Sequence, residues 1–576
     1  MKTNRIIATL LGFILLFSAA AVSAETTEYA LSDSTKVRLL GRGEFITAES
    51  RTFNWPNAGF EFEFSGTSAE VYVDAAQPID STEYNMVYFN AAVLDENDEV
   101  ISVNRMALKS GWNTIYASSA ADKVKIMLVR SSEACRGTIR MSKIRTDAAP
   151  SAAAPRQKQI EFIGDSYTAG YGNSPELSEA TYYCAQNTDN WNSYTGFVAR
   201  HYKSDNTVIA YQGKGVCVNV GGDSTETMSQ QFNYSDIVVP SKNMSTRETW
   251  NFMKYRPQVV VVWLGTNDNA GMSKAGIENP TQYFQDNYVK LLENIRAKYP
   301  FASIICCSRT NWGYPEQVTA AVEQMGGEAK RFYNLRLTSF KASSFGHPNV
   351  EEDKAIADEL IAKIDSIRDV WHTVDIGSDE TVSIIANYNT GVINVFGKTG
   401  EPGDQVAMYV LHPGETEFSA DAVAYIDQCE TDNTGDYSFE FTVKKLTGEY
   451  TLAMNSCALN NKQTRNFSFM NYIPEIAVSK GGISVTGMEQ LAAGDLLDVK
   501  LSGFKPDDEI SASIFVAQYS GSCLKAVNIV DGSRDSSIAG NEITLSQQVA
   551  EDVDKIKVIY MNSLNYSSLC ASYDIE

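Results

Sequence analysis

The sequence predicts a multidomain protein: an N-terminal antiparallel β-sandwich of jelly-roll type, a central three-layer α/β domain, and two small C-terminal β-sandwiches. Three observations point there. At 576 residues the chain exceeds what one core supports, since domains run to about 100–200 residues. Short apolar runs separated by Gly, Asn, Asp and Ser turns fill residues 25–146 and return in 374–473 and 474–576, whereas residues 156–370 alternate strand and helix patterns. The run Val259-Val260-Val261-Val262 has no polar face, as expected of a parallel strand buried on both sides.

A 43% hydrophobic, 21% charged composition is that of folded protein. The formal net charge of -23 argues against nucleic acid as a partner, because phosphate binding needs clustered Lys and Arg. Residues 1–24 have the form of a signal peptide: Lys2 and Arg5 are followed by the apolar run Ile6 to Phe17 and by Ala21-Val22-Ser23-Ala24. The run is short for spanning a membrane and no second one approaches that length. The expectation is a secreted protein, extracellular or at the cell surface, with no membrane segment in its mature form.

Nine cysteines are an odd number and too sparse for a disulfide scaffold. Cys184 with Cys217, Cys429 with Cys457 and Cys523 with Cys570 are candidate pairs; adjacent Cys306 and Cys307 are expected as buried thiols. The four histidines, 201, 347, 372 and 412, show no metal-ligand spacing, so neither metal nor cofactor is expected.

In the first domain, strand-like runs are Lys36 to Ile46, Phe60 to Phe64, Ala69 to Val73, Asn85 to Val93, Thr114 to Ala117, Val124 to Val129 and Gly137 to Ile144. The small residues and two prolines of 147–155 predict a linker. Beyond it, strands are expected over Gln159 to Ile163, Thr207 to Tyr211, Gln258 to Leu264 and Ala302 to Cys306. Two helices present apolar stripes, one with Phe284, Tyr288, Leu291, Leu292 and Ile295, the other with Ile356, Leu360, Ile361, Ile364 and Ile367. Residues 374–473 and 474–576 carry further short strands with Gly-Asp and Thr-Gly turns, and the two halves echo one another too weakly to establish a repeat. They are candidates for carbohydrate or cell-surface contacts, with spacing of the catalytic unit the plainer role.

Three strand ends in the α/β domain carry distinctive residues: Gly164-Asp165-Ser166, Gln212-Gly213-Lys214-Gly215 and Gly265-Thr266-Asn267-Asp268; Gly346-His347-Pro348-Asn349 stands before the last helix. Acyl transfer needs a nucleophile, a base within reach and donors aimed at the developing oxyanion, and loops on one rim of a sheet can supply all three. A lone Gly-Asp-Ser is common in turns, but the four blocks in this order are far more specific. His201 falls in a helical pattern and His372 and His412 outside the α/β region, so His347 has no rival as base.

In these blocks residues 156–370 resemble the GDSL/SGNH hydrolase superfamily. The resemblance implies Ser166 as nucleophile and His347 as general base. It implies an oxyanion hole from the N–H groups of Ser166 and Gly213 and the amide of Asn267, with Gly215 the less favoured alternative to Gly213. The stretch Leu39-Leu40-Gly41-Arg42-Gly43, with Trp55, Phe60-Glu61-Phe62 and Phe64-Ser65-Gly66-Thr67 ahead of Gly-Asp-Ser, resembles the family-two carbohydrate esterases. That resemblance implies a metal-independent serine esterase removing O-acetyl groups from xylan or glucomannan. A lipid or sialic-acid O-acyl esterase, or a non-catalytic polysaccharide-binding protein, are the alternatives.

One departure stands out. Many relatives carry Asp three residues before the histidine, where this chain has Ser344, so a Ser-His dyad is expected with a backbone carbonyl or a distant acid orienting the imidazole. Activity is expected to fall as pH drops through a histidine pKa near ~6.5, and a flat rate between roughly pH 5 and 8 would argue against that step. Of the aromatic residues Tyr171, Trp191, Trp263, Trp312 and Tyr314, Trp263 and Trp312 are put forward as sugar-stacking candidates. Asp268 is expected to be a structural loop carboxylate.

Overall fold

The computed structural model describes residues 26–80, 82–237, 246–367, 370–371, 373–379, 381–387, 392–433, 435–442, 448–458, 461–469, 475–502, 512–531, 542–562 and 572–576. The signal-like segment 1–24, His372 and Cys570 lie outside them.

The described residues from 26 to 152 form two sheets. In one, Gly137–Thr146 lies between Thr27–Ala30 and Ser68–Pro78; in the other, Gly59–Phe64, Val124–Arg130 and Tyr88–Leu94 follow one another as antiparallel neighbours. Val100–Ala107, not anticipated in the sequence, is the outer strand of the second sheet, and its exposed Val100, Ile101 and Val103 explain why no inward-facing alternation marks it. The expected strand Lys36 to Ile46 is ordered as a strand only over Arg38–Leu40, because Gly41 turns the chain with φ +64°. The stretch expected as a linker is fixed: Ser151–Ala152 pairs with Phe62 and Glu63, and the Asp147 carboxylate accepts the N–H groups of Thr67 and Ser68. Its small residues let it lie flat along a sheet edge.

The central domain is a five-stranded, wholly parallel sheet. In chain order its strands are Gln159–Gly164, Asp205–Ala210, Val259–Trp263, Ser303–Arg309 and Phe332–Leu337; in space they run second, first, third, fourth, fifth. Helices Tyr194–Tyr202 and Val350–Asp365 touch each other, and so do Pro280–Lys298 and Pro315–Gln324. The fifth strand was not anticipated. It is an edge strand, so Asn334 and Arg336 break the apolar run that marks the three inner ones. Because order reverses beside the first strand, the carboxyl ends of the first and third strands flank the switch point, where crossovers leave in opposite directions and open a crevice.

A buried ion pair ties the two units together. Arg42, from the Gly-Arg-Gly stretch, donates to both carboxylate oxygens of Glu161 at 3.0 and 3.1 Å in the middle of the first strand, and Tyr299 adds a hydroxyl at 3.1 Å. Both partners are fully buried, which is tolerable because the hydrogen bonds replace the lost water. The fully buried Trp55 donates its indole N–H to the Ser235 carbonyl at 3.2 Å.

Residues 373–469 and 475–575 each form two four-stranded sheets sharing one core. Numbering each module's eight strands from its start, the second sheet has order 5-4-7-8 in both, and in both the third and sixth strands pair in the first sheet. The two modules therefore share most of their connectivity among the described strands, differing in the first sheet, which runs 1-2-3-6 in one and 2-1-3-6 in the other, a likeness the sequence only hints at. The first module docks on the amino ends of the parallel strands: Gln258 donates to the Thr373 carbonyl at 2.9 Å, Arg256 to Asp375 at 3.2 Å, and Phe301 meets Phe396 edge to face. That is the end of the sheet opposite Ser166, so the module leaves the crevice uncovered.

Cys184, Cys217, Cys306, Cys307, Cys429 and Cys457 are all free thiols, which corrects the pairings expected for 184 with 217 and 429 with 457.

Candidate active site

The first strand ends at Gly164, where a Cβ would lie 1.9 Å from Thr168 Oγ1, so the tight entry into the next helix requires glycine. That helix is a single turn, Ser166–Ala169, capped by Asp165, which accepts the Tyr167 N–H at 3.1 Å, and closed by Gly170 at φ +79°. Ser166 is its first residue. Its N–H is one of those a helix start leaves without an internal partner, and it faces the positive end of the local dipoles.

His347 comes from the loop before the helix Val350–Asp365. Ser344 and His347 close a tight turn through reciprocal backbone bonds of 2.9 and 2.7 Å, with Phe345 and Gly346 both left-handed at φ +47° and +77°. A left-handed phenylalanine is strained, and here the strain aims its carbonyl back at the imidazole. His347 Nε2 lies 2.8 Å from Ser166 Oγ and Nδ1 lies 3.1 Å from the Phe345 oxygen. The tautomer that satisfies both contacts carries its proton on Nδ1 and leaves Nε2 to accept from the serine.

Ser344 does not touch the ring; its hydroxyl donates to the Gly172 carbonyl at 2.5 Å. Ser344→Ala is therefore expected to keep esterase kcat within roughly tenfold of wild type, because the carbonyl that orients the imidazole stays in place. A loss approaching that of His347→Ala would show that the hydroxyl, not Phe345, sets the ring.

Burial lowers the His347 pKa from 6.5 to about 4; the Phe345 carbonyl opposes this and Arg309 reinforces it. A base works in its neutral form, and a lowered pKa keeps it neutral to lower pH. The acid limb of kcat/KM is thus expected near pH 4, with a flat rate between roughly pH 5 and 8. This corrects the limb near 6.5 expected for an unperturbed imidazole, and a half-maximal rate found at pH 6.5 in an acetyl-ester assay would contradict it.

The loop after the second strand brings Gly213 to the same rim. It adopts φ +77°, and its N–H has no partner among the described residues. Gly215 is glycine for another reason: a Cβ there would sit 2.1 Å from the Val218 carbonyl oxygen and 2.6 Å from Asp268. Asp268 is buried and its carboxylate accepts the N–H groups of Val216, Cys217 and Val218 at 2.8, 2.9 and 3.0 Å, so it shapes the whole loop. Asn267, beside it in the short helix Thr266–Gly271 after the third strand, gives its amide to Asp165 Oδ2 at 3.0 Å and to the Lys214 carbonyl at 2.9 Å. With both amide hydrogens engaged, donation to an oxyanion requires one of these bonds to exchange. Asp165 itself is raised to about 7, mainly by burial, with Asp268 and Glu133 adding to the rise against the Tyr167 N–H.

Trp263 is not a sugar platform. It is 2% exposed and packs against Tyr167, Tyr194 and Phe340 in the core, as the last residue of a strand covered on both faces must. Trp312 is 40% exposed on the turn after the fourth strand, with the Arg309 guanidinium 6.0 Å from its ring. Tyr314 stacks on Phe284. Sequence reasoning missed Arg309, which ends the fourth strand and donates to the Tyr167 hydroxyl at 3.1 Å, and it missed the role of Tyr171, whose ring lies face to face with the His347 imidazole. A lone arginine at a strand end carries no spacing that would single it out.

Comparison with known proteins fits this geometry. Residues 162–360 match the GDSL-like Lipase/Acylhydrolase family and residues 39–155 match the family described as Carbohydrate esterase 2 N-terminal. This chain carries a GDSL-like hydrolase domain behind a carbohydrate esterase 2 N-terminal domain. Among curated relatives, the cellulase/esterase of Acetivibrio thermocellus is 26% identical over 354 residues, covering 59% of this chain and 40% of that one. An acetylxylan esterase / glucomannan deacetylase of Cellvibrio japonicus is 26% identical over 396 residues, covering 64% of this chain and all of the relative. In fold, a family two carbohydrate esterase structure from Cellvibrio japonicus aligns with TM-score 0.51 at 15% identity, over 60% of this chain and 99% of that one. An acetyl xylan esterase from the rumen bacterium Butyrivibrio proteoclasticus aligns with TM-score 0.50 at 17% identity, over 59% of this chain and 97% of the other. The resemblance read from the sequence blocks is thereby borne out at the level of family, and the two modules after residue 372 lie beyond both family matches.

Proposed function

We propose that the protein is a secreted serine esterase that removes O-acetyl groups from plant cell-wall polysaccharides such as acetylated xylan or glucomannan. The observation that carries the reading is the 2.8 Å contact between Ser166 Oγ and His347 Nε2 at the switch point of a parallel sheet, behind an N-terminal domain of the carbohydrate esterase 2 type. The curated relatives named for acetylxylan and glucomannan support the substrate class. The N-terminal unit, with its paired sheets, is taken as a jelly-roll sandwich, and each C-terminal module as a small sandwich with carbohydrate or surface contacts.

In the first step His347 takes the Ser166 proton as Oγ attacks the acetyl carbonyl. The oxyanion is met by the N–H groups of Ser166 and Gly213, and by Asn267 once its bond to the Lys214 carbonyl exchanges. The sugar alcohol leaves with the proton held by His347. Water, deprotonated by the same imidazole, then attacks the acetyl-serine and acetate departs. The exposed Trp312 at the rim is a stacking surface for a pyranose ring.

A panel of acetylated xylan, acetylated glucomannan and long-chain p-nitrophenyl esters tests the substrate class, with Ser166→Ala alongside. Acetate release from a polysaccharide, lost in Ser166→Ala, is the expected result. Turnover of long-chain esters alone would assign a lipid esterase; hydrolysis undiminished in Ser166→Ala would show that Ser166 is not the nucleophile, and polysaccharide binding without hydrolysis by the wild type would leave only a binding role.

A further inference from the structure

Tyr171 is the inner ring of a continuous stack that runs from the imidazole into the N-terminal domain. The His347 and Tyr171 rings are 3.9 Å apart at 18°, Tyr171 and Tyr183 3.4 Å apart at 12°, and the Arg136 guanidinium lies 3.9 Å from the centre of Tyr183. Arg136 closes the short 3-10 turn Ala134–Arg136, which precedes a strand of the N-terminal sheet. The residue before that turn, Glu133, is fully buried and accepts the Tyr183 hydroxyl, while the Cys135 thiol lies 3.1 Å from Glu133 and 3.3 Å from the side-chain oxygen of Gln212, the residue before Gly213. One turn of the N-terminal domain thus reaches the base through stacked rings and the oxyanion loop through a thiol.

We propose that Arg136, Glu133, Tyr183 and Tyr171 are positioning residues that hold the His347 ring in line with Ser166, which makes the N-terminal domain part of the working active site. The inference rests on His347 being the base. A ring can rotate about its Cβ bond even when one nitrogen is hydrogen-bonded, and the Phe345 carbonyl fixes only one in-plane direction. The face of Tyr171 on one side and the T-shaped contact with Tyr167, ring centres 4.9 Å apart, fix the plane itself. The column also shields the ring from water, and its π face favours the imidazolium that forms during proton transfer. The charged and titratable groups around the ring are Arg309 on the fourth strand, Tyr167 after the first, Tyr171, and Glu133, Cys135 and Arg136 behind the tyrosines.

The test is steady-state hydrolysis of p-nitrophenyl acetate by the full chain between pH 3.5 and 8, with kcat and KM measured separately. Tyr171→Ala is expected to lower kcat by roughly 10- to 100-fold with little change in KM, since small misplacements of a catalytic group carry penalties of that order. Opening the ring to water should also move the acid limb from about 4 toward ~6.5. Tyr171→Phe, which keeps the ring, should restore both. Arg136→Met, at the far end of the column, should lower kcat about 3- to 10-fold with the limb moving the same way. If Tyr171→Ala or Arg136→Met lowers thermal stability but leaves kcat per folded molecule and the acid limb unchanged, the column is packing alone and the proposal fails. Should Tyr171→Ala not fold, Arg136→Met decides it by the same two readouts, with Tyr171→Phe as the control that keeps the ring. Because Ser166→Ala abolishes turnover only if the esterase reading holds, that variant in the same assay separates failure of the column from failure of the function.

Discussion

Ser166→Ala is expected to lower kcat for acetyl-ester hydrolysis by on the order of 10⁴-fold or more, and His347→Ala by a comparable factor. In the proposed mechanism the serine forms the covalent intermediate, and at 2.8 Å the imidazole is the only group in the described structure in hydrogen-bond contact with Oγ. The two act on one proton, so the double variant should be no slower than the worse single one; a product of the two losses would mean that they act independently. Neither change should unfold the protein, since Ser166 is a small residue at a helix start and His347 is partly open to the crevice. Circular dichroism alongside the assay checks this, and a Ser166→Ala enzyme retaining more than a few per cent of wild-type rate would refute the nucleophile assignment.

The largest stability effect is expected at Asp268. Replacement by Ala strands three buried backbone N–H groups at once, on Val216, Cys217 and Val218. Each stranded donor costs about 1–3 kcal/mol, and because the loop relaxes, a net loss of about 3–5 kcal/mol is expected for the α/β domain rather than the full sum. Burial raises the Asp268 pKa while the three N–H bonds hold it down, so the carboxylate is present because the loop needs acceptors there. Asp268→Asn keeps one acceptor oxygen and should lose roughly half as much. Urea unfolding followed by tryptophan fluorescence measures the shift. The same variant should lose kcat as well, because Gly213 rides on the loop that Asp268 anchors; full stability in Asp268→Ala would show that the loop is held by its own turns.

Much of the candidate site was legible in the chain because its parts lie where local pattern and chemistry coincide. An apolar run ending in Gly-Asp-Ser announces a strand and a hydroxyl at its end together; Gly164 and Gly265 mark close approaches that a Cβ would block, and Gly213 a left-handed backbone that side chains rarely adopt. Trp263 was misjudged for the same reason in reverse: a tryptophan at a strand end looks alike from sequence whether the next layer covers it or not, and here helix and loop aromatics do. The fifth strand and the outer strand Val100–Ala107 escaped notice because edges tolerate polar or exposed residues on both faces.

The sequence by itself determined the order of layers, the run of buried strands and the four loops that carry the site, since each depends on residues within about one turn or strand of one another. Only the tertiary structure decided what orients His347. The carbonyl of Phe345 owes its direction to a left-handed turn, and the ring's plane is set by residues 171, 183 and 136, as far as 211 positions away in the chain. Likewise the fit of Arg42 to Glu161 joins residues 119 apart. Contacts at such separations leave no periodicity in the chain, because nothing local requires them; they exist only once the sheet and its neighbouring domain have folded together.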